Sequence, residues 1–208
     1  MKFLIKFFFV NYYIRWSAIY RYFEKKKVSG YKDKRAKIIF SFLKKSDIRD
    51  KWKLVNKFMK YKKDSPAQLW DAVSDPYCSL LKGYDDCDGY AAIASKILSP
   101  GFMYKNQLYL FDGLYFGFVS GKFSFKKKFP FIAYSGYGHC IAVWDEVNDQ
   151  GHIVISTQKF EYSRDKVDIF NKVFGQNLMY AVKCDVPAGI DFKLEFESVL
   201  SKKDIGKC

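Results

Sequence analysis

Asp85-Asp86-Cys87-Asp88-Gly89-Tyr90-Ala91 is the stretch from which the rest of the chain is read. Behind it, Tyr90, Ile93, Ala94, Ile97 and Leu98 fall at i, i+3, i+4, i+7 and i+8, the spacing of a helix that buries one stripe, and Ser99-Pro100-Gly101 stops it. Asp86 is a good N-cap residue, so Cys87 opens the first turn. The unpaired N–H groups there, with the positive end of the helix dipole, favour a thiolate over a thiol. Cys87 lies three residues before Tyr90 and seven before Ala94, which turns its side chain to the packed side of the helix, facing a cleft. Asp85, Asp86 and Asp88 read as caps and first-turn carboxylates, and Asp85 and Asp88 raise the thiol pKa slightly against the dipole. Most helix-terminal cysteines are only packed, so activation here depends on a nearby base.

A base stands farther along. Fifty-two residues on, Gly136-Tyr137-Gly138-His139 opens an apolar strand from His139 to Val147, and the turn Asn148-Asp149-Gln150-Gly151 leads to a second strand, His152 to Gln158. The chain has only two histidines, so a cysteine-histidine pair has few ways to arise.

Together these residues, over 48–185, resemble the transglutaminase-like cysteine peptidase superfamily, particularly its compact bacterial and phage members. The resemblance implies a papain-like core, in which a helix-borne cysteine faces a histidine on an antiparallel sheet and an acidic or amide residue stands on the next strand. Cys87 then matches the nucleophile and His139 the general base. The third member departs from the pattern, because Gly151-His152-Ile153-Val154-Ile155 is followed by Ser156 where family sequences often carry aspartate. If the turn centres on Asp149 and Gln150, His139 faces Phe160, Ile141 faces Gln158 and Val143 faces Ser156. Gln158 is then diagonal to His139, roughly 5–8 Å away. A side-chain amide oxygen can accept the imidazole N–H, so Gln158 is the first candidate for the orienting residue and Ser156 the second.

The same run is similar to the Asp-Cys-Ser-Gly motif of bacterial cell-wall endopeptidases, in which a second histidine orients the first. His152 would have that part. In the register above it faces Val147, about 27 Å along the strand from His139, and reads as a hairpin-flanking surface residue.

Cys87 and His139 could carry out acyl transfer: the thiolate attacks an amide or ester carbonyl, and the thioester passes to water or to an amine. The Cys87 N–H is a natural oxyanion donor, and Gln68, Trp70 and Tyr84 are candidates for a second.

Composition frames this chemistry. A chain of 208 residues with 49% hydrophobic content can bury a core of its own. The net charge of +14 is uneven, since residues 1–63 hold 20 Lys/Arg against 4 Asp/Glu and the remainder is nearly neutral. Residues 1–45 form a basic, aromatic-rich helical arm, with Phe3, Phe7, Phe8, Phe9, Tyr12, Tyr13, Trp16, Tyr20, Tyr22 and Phe23 among Lys2, Lys6, Arg15 and Arg21. Such an arm either packs on the core with a solvated lysine face or lies on an anionic surface, membrane or nucleic acid. Lys2, Lys6 and Arg15 break the apolar run well short of the ~18–20 residues of a membrane span, and no signal-peptide cleavage site follows.

Residues 46–208 form the presumed catalytic domain. Ile48, Trp52, Val55 and Met59 recur at helical spacing behind a Ser46 or Asp47 cap, and a second helix begins at Ser65-Pro66 and ends at Asp75-Pro76. After Gly101 the pattern turns to strands: Gln107–Phe111 and Leu114–Val119 joined at Asp112-Gly113, then Lys122–Phe129, His139–Val147, His152–Gln158 and Leu178–Cys184. The class expected is α+β, with N-terminal helices on an antiparallel sheet of about six strands. Cysteines 78, 87, 140, 184 and 208 show no paired spacing of the zinc or redox type, which with the odd count fits a reducing, cytoplasmic compartment. No metal-ligand cluster is evident, no cofactor is implied, and Cys140 should alternate away from the site. Two classes of function follow. One is a cysteine hydrolase or acyltransferase acting on a peptide or protein; the other is a degenerate form of that fold, binding partners through the basic arm.

Overall fold

The computed structural model describes residues 2–27, 34, 37–39, 41, 48–63, 72–119, 123–124, 133–134, 138–148, 151–175, 178–187 and 192–205. Helix α1 (Lys2–Phe8), a π-helical segment (Phe9–Ile14) and α2 (Arg15–Lys27) follow without interruption. Their inward row is Ile5, Phe9, Tyr13, Ser17 and Arg21, a strict four-residue repeat. At 3.6 residues per turn each four-residue step overshoots by about 40°. The wider π turn takes up that drift and keeps the row on one side.

The row docks largely through polar groups. Ser17 Oγ accepts from Val73 N at 3.1 Å, Arg21 Nη1 donates to Val73 O at 3.2 Å, and Glu24 Oε2 accepts from Asp75 N at 2.9 Å. Phe9 and Tyr13 stack on each other, and Phe116 meets Phe9 at a tilt and Tyr13 edge-on. The arm therefore supplies partners to the backbone of residues 73–75, which would otherwise lie buried and unmet.

Helix α3 (Ile48–Phe58) buries Trp52 and Val55 as its spacing predicts, with Met59 just beyond its end. Its Ser46 and Asp47 caps, and the helix expected from Ser65-Pro66 with Leu69 and Trp70, lie outside the described residues. Asp75-Pro76, read as a helix end, opens one instead: α4 (Pro76–Lys82) has Asp75 as N-cap, accepting from Tyr77 N and Cys78 N, and proline in its first turn. That arrangement satisfies two of the helix's orphan donors and costs none. A short parallel pair, β1 (Lys60–Tyr61) with β2 (Tyr84–Asp85), then delivers the chain to α5 (Cys87–Leu98).

Seven antiparallel strands make the main sheet. Its order is β11 (Glu195–Ser201), β10 (Leu178–Asp185), β4 (Gln107–Val119), β7 (Gly138–Glu146), β8 (His152–Ser156) and β9 (Lys159–Ser163), with β3 (Gly101–Tyr104) also on β4. The expected α+β fold with an antiparallel sheet of about six strands is found, and three strand details differ. Asp112-Gly113 is no hairpin: β4 runs through it as one strand, with a register shift against β7 between Phe111 and Gly113. The hairpin lies earlier, where Lys105 and Asn106 take φ of 49° and 66° between β3 and β4. Third, β8 stops at Ser156; Thr157 and Gln158 form a two-residue turn, and β9 returns beside it. Of the strand expected over 122–129, the described part is β5 (Phe123–Ser124), paired with β6 (Ala133–Tyr134) away from the main sheet.

The sheet is covered on both faces. On one, α5 packs over Leu114, Cys140, Ala142, Trp144, Ile153 and Ile155. On the other, α6 (Lys166–Phe174) and α7 (Lys202–Ile205) cover Tyr115, Ile141, Val143 and Val154. Beside that second core lies a buried charge cluster. Lys166 is 4% exposed and bridges Asp112 Oδ2 and Asp145 Oδ2, each at 2.9 Å. Burial alone would lower the Lys166 pKa, but the two carboxylates outweigh it and the pKa is raised. His152, expected on the surface, is buried here with Nδ1 2.8 Å from Asp145 Oδ1. Its register partner is Asp145, not Val147.

Candidate active site

The first turn of α5 is built by the acidic run. Asp86 is the N-cap and its side chain accepts from Asp88 N at 3.3 Å. Asp85 tucks beneath the turn, bonded to Ser79 Oγ and to Asp86 N. A Cβ on Gly89 would collide with the Asp85 side chain, so glycine at that position is what admits the buried carboxyl. Burial raises the Asp85 pKa, while Lys82, 3.8 Å away, opposes the rise. Asp88 accepts from Tyr13 OH at 2.9 Å, tying the N-terminal arm to this turn. The three carboxylates each offer an oxygen within 4.8 Å of the others, a grouping that chain spacing did not flag. Each already has a donor from the protein, so the cluster is accounted for as capping and docking.

Cys87, half-buried at the helix start, accepts a hydrogen bond on Sγ from Cys140 N at 3.4 Å. The Cys140 nitrogen is joined to the His139 carbonyl carbon, so the sulfur lies within roughly 6 Å of the His139 Cα, adding about 2.4 Å across the peptide. The helix-borne thiol and the first residues of β7 thus meet. Cys140 faces α5 and is buried in the core beneath it, a correction to the expectation that it would stand clear of the site: its side chain is structural, and its backbone N–H touches the sulfur.

His139 alternates to the other face. Its ring lies edge-on to Phe174 of α6, 5.9 Å between centroids, and its Nε2 is 2.7 Å from Ser156 Oγ. Burial lowers the His139 pKa and Asp86 raises it, the first effect being larger, so the ring is neutral at neutral pH. Sulfur and imidazole therefore reach the start of β7 from opposite sides of the sheet.

The β7–β8 register differs from the expected one by two residues. Ala142 pairs with Ile155 and Val143 with Val154, which puts Ser156, not Gln158, diagonal to His139. A shift of two preserves the face, so the residue moved while the side of the sheet did not. Gln158 sits in the β8–β9 turn, where its backbone oxygen accepts from Asn56 Nδ2 at 3.1 Å and its side chain lies toward Tyr90 without completing a hydrogen bond to its hydroxyl. Tyr84 is in β2, while Gln68 and Trp70 lie outside the described residues. Beside the first turn of α5 a cleft of about 240 Å³ opens, lined by Lys62, Lys82, Tyr84, Asp86 and Asp88 among others.

The remaining described cysteines are set apart from Cys87 by burial, which pushes Cys78 and Cys184 up to about 12 and Cys140 well above its ordinary value. No family model matches the chain, and no curated protein or solved structure matches it either.

Proposed function

We propose that this protein is a thiol-dependent acyl-transfer enzyme with a papain-like or transglutaminase-like core, cleaving or exchanging amide bonds of a peptide or protein. The observation that carries this reading is the Cys140 N–H bond to Cys87 Sγ, which sets the sulfur beside the residue whose imidazole is held by Ser156. In this scheme Nε2–H donates to Ser156 Oγ, leaving Nδ1 as the basic nitrogen. Nδ1 takes the Cys87 proton once the His139 ring has left Ser156 and turned to the α5 side of β7. The thiolate then attacks the carbonyl carbon, the C–N bond breaks, and the leaving amine takes the proton back from the imidazolium. Water, activated by the same nitrogen, releases the acid and restores the thiol; an amine in place of water gives transamidation. The Cys87 N–H at the helix start stabilises the oxyanion. Ser156 holds the resting ring on the α6 side and, unlike a carboxylate, does not neutralise the imidazolium.

A second reading is a degenerate form of the same core that acts as a binding or assembly module. It is favoured by serine in place of the third acid and by the placement of His139 on the α6 side of β7. Iodoacetamide labelling at neutral pH, followed by peptide mass spectrometry, separates the two. The enzyme reading expects Cys87 to be alkylated far ahead of Cys78, Cys140 and Cys184, and His139→Ala to slow it about tenfold or more. Uniformly slow labelling of every cysteine would leave only the binding module.

A further inference from the structure

The second half of the N-terminal arm inverts the usual polarity, while Ile5, Phe9 and Tyr13 in its first half face inward. A helix on a water-exposed protein surface turns its apolar stripe inward, yet here the inward row includes Ser17, Arg21 and Glu24, all buried and hydrogen-bonded. The outward side carries Phe3 at 75% exposure, Leu4, Phe7, Phe8, Tyr12, Trp16, Ile19, Tyr22 and Phe23. Exposed Arg15 stands between Tyr12 and Ile19, and exposed Lys26 and Lys27 lie within one turn of Tyr22 and Phe23. Glu24 is the sole acidic residue in 1–27, and it is bonded inward to Asp75 N and to Lys82.

We propose that α1, the π segment and α2 form a docking face for an anionic lipid bilayer, with the helix lying in the interface and its aromatic side immersed at headgroup depth. An aromatic and aliphatic stripe bordered by cations, with no carboxylate, is complementary to that surface and to no neutral one. Two copies of this face apposed would oppose Arg15, Lys26 and Lys27 to themselves. The exposed rings could also stack bases, so competition by duplex DNA is one arm of the test. Among the described residues no helix is long and apolar enough to cross a membrane, so the arm lies on the surface and does not span it. Through Tyr13 and Asp88 the docked arm would also fix the orientation of the α5 turn relative to the membrane.

Vesicle flotation of the full chain tests this. Phosphatidylcholine vesicles containing phosphatidylserine should carry the protein, with a blue shift in tryptophan emission that Trp16→Phe removes while binding persists. Pure phosphatidylcholine should carry much less. Reversing Arg15, Lys26 and Lys27 together to Glu should weaken binding roughly 100-fold or more, at about fivefold for each charge removed. Leu4→Ser with Phe7→Ser and Phe8→Ser should abolish it. All six positions are exposed, and circular dichroism verifies that the variants stay folded. The proposal is overturned if the wild type does not float with anionic vesicles, if the charge-reversal or the serine variants float as well as the wild type, if duplex DNA displaces the vesicles, or if the chain is a dimer that Phe7→Ser dissociates.

Discussion

Gly89 shows how one residue ties sequence motif to site. Replacing it with alanine improves helix propensity by up to about 1 kcal/mol, but the new methyl meets the Asp85 side chain and must displace a buried carboxyl bonded to Ser79. Overpacking of that kind costs about 1–3 kcal/mol, so Gly89→Ala should lower the urea midpoint and slow Cys87 labelling together. Asp86 has two effects that substitution can separate. Asp86→Asn keeps an acceptor for Asp88 N but removes the negative charge that supports protonated His139. The His139 pKa, read from its NMR titration, should fall further in this variant with little loss of helix stability. The sign of the His139 contribution follows from its lowered pKa. Stability is full above the unfolded value of about 6.5 and declines as pH drops through the folded value, because the unfolded chain binds the proton first. In His139→Gln that decline should be smaller in urea titrations compared at neutral and mildly acidic pH.

Among the elements, those whose side chains carry a periodic apolar signal were legible and those defined by backbone geometry were not. Helix α5 follows from Tyr90, Ile93, Ala94, Ile97 and Leu98, all buried, and from its Asp86 cap. Asp112-Gly113 misled because it has hairpin composition, yet Asp112 is drawn to Lys166 and Lys183 while β4 continues through the bulge. The true turns, at Lys105-Asn106 and Thr157-Gln158, use left-handed residues that are not glycine, and Thr157 at φ 53° is a β-branched exception that composition does not signal. The β7–β8 register, two residues from the one expected about Asp149 and Gln150, is why Ser156 and not Gln158 stands diagonal to His139. The buried Lys166 cluster was invisible too, since its members are 54 and 21 residues apart along the chain. Lys166→Ala should cost about 1–3 kcal/mol in chemical denaturation, because Asp112 and Asp145 each lose one buried partner while Lys183 and His152 remain beside them. A near-neutral result would mean that Lys183 and His152 suffice to balance them.

The molecule as a whole joins a neutral catalytic candidate to a basic arm that faces a mixed row inward, Ile5, Phe9 and Tyr13 followed by Ser17, Arg21 and Glu24, and an aromatic-rich row outward. Composition made the arm's charge and aromatic content plain, but which side meets the core depends on the π segment and on the backbone groups of residues 73–75 that Ser17, Arg21 and Glu24 satisfy, neither of which a sequence displays. The α+β class could be reasoned from periodicity and capping, while the meeting of Cys87 with the start of β7 was only what the resemblance in the sequence implied. Alternation along β7, set by strand register, decided that Cys140 and not His139 would face α5. The account therefore rests on Cys87 and His139 acting as one unit despite that alternation. Its most direct test is the pH dependence of Cys87 alkylation in wild type and in His139→Ala. If the two act together, wild-type reactivity rises through the His139 titration, below about 6.5, and the variant's rises only near the free-thiol value of about 8.5. Superimposable curves that rise only at the higher pH would contradict the proposed pair.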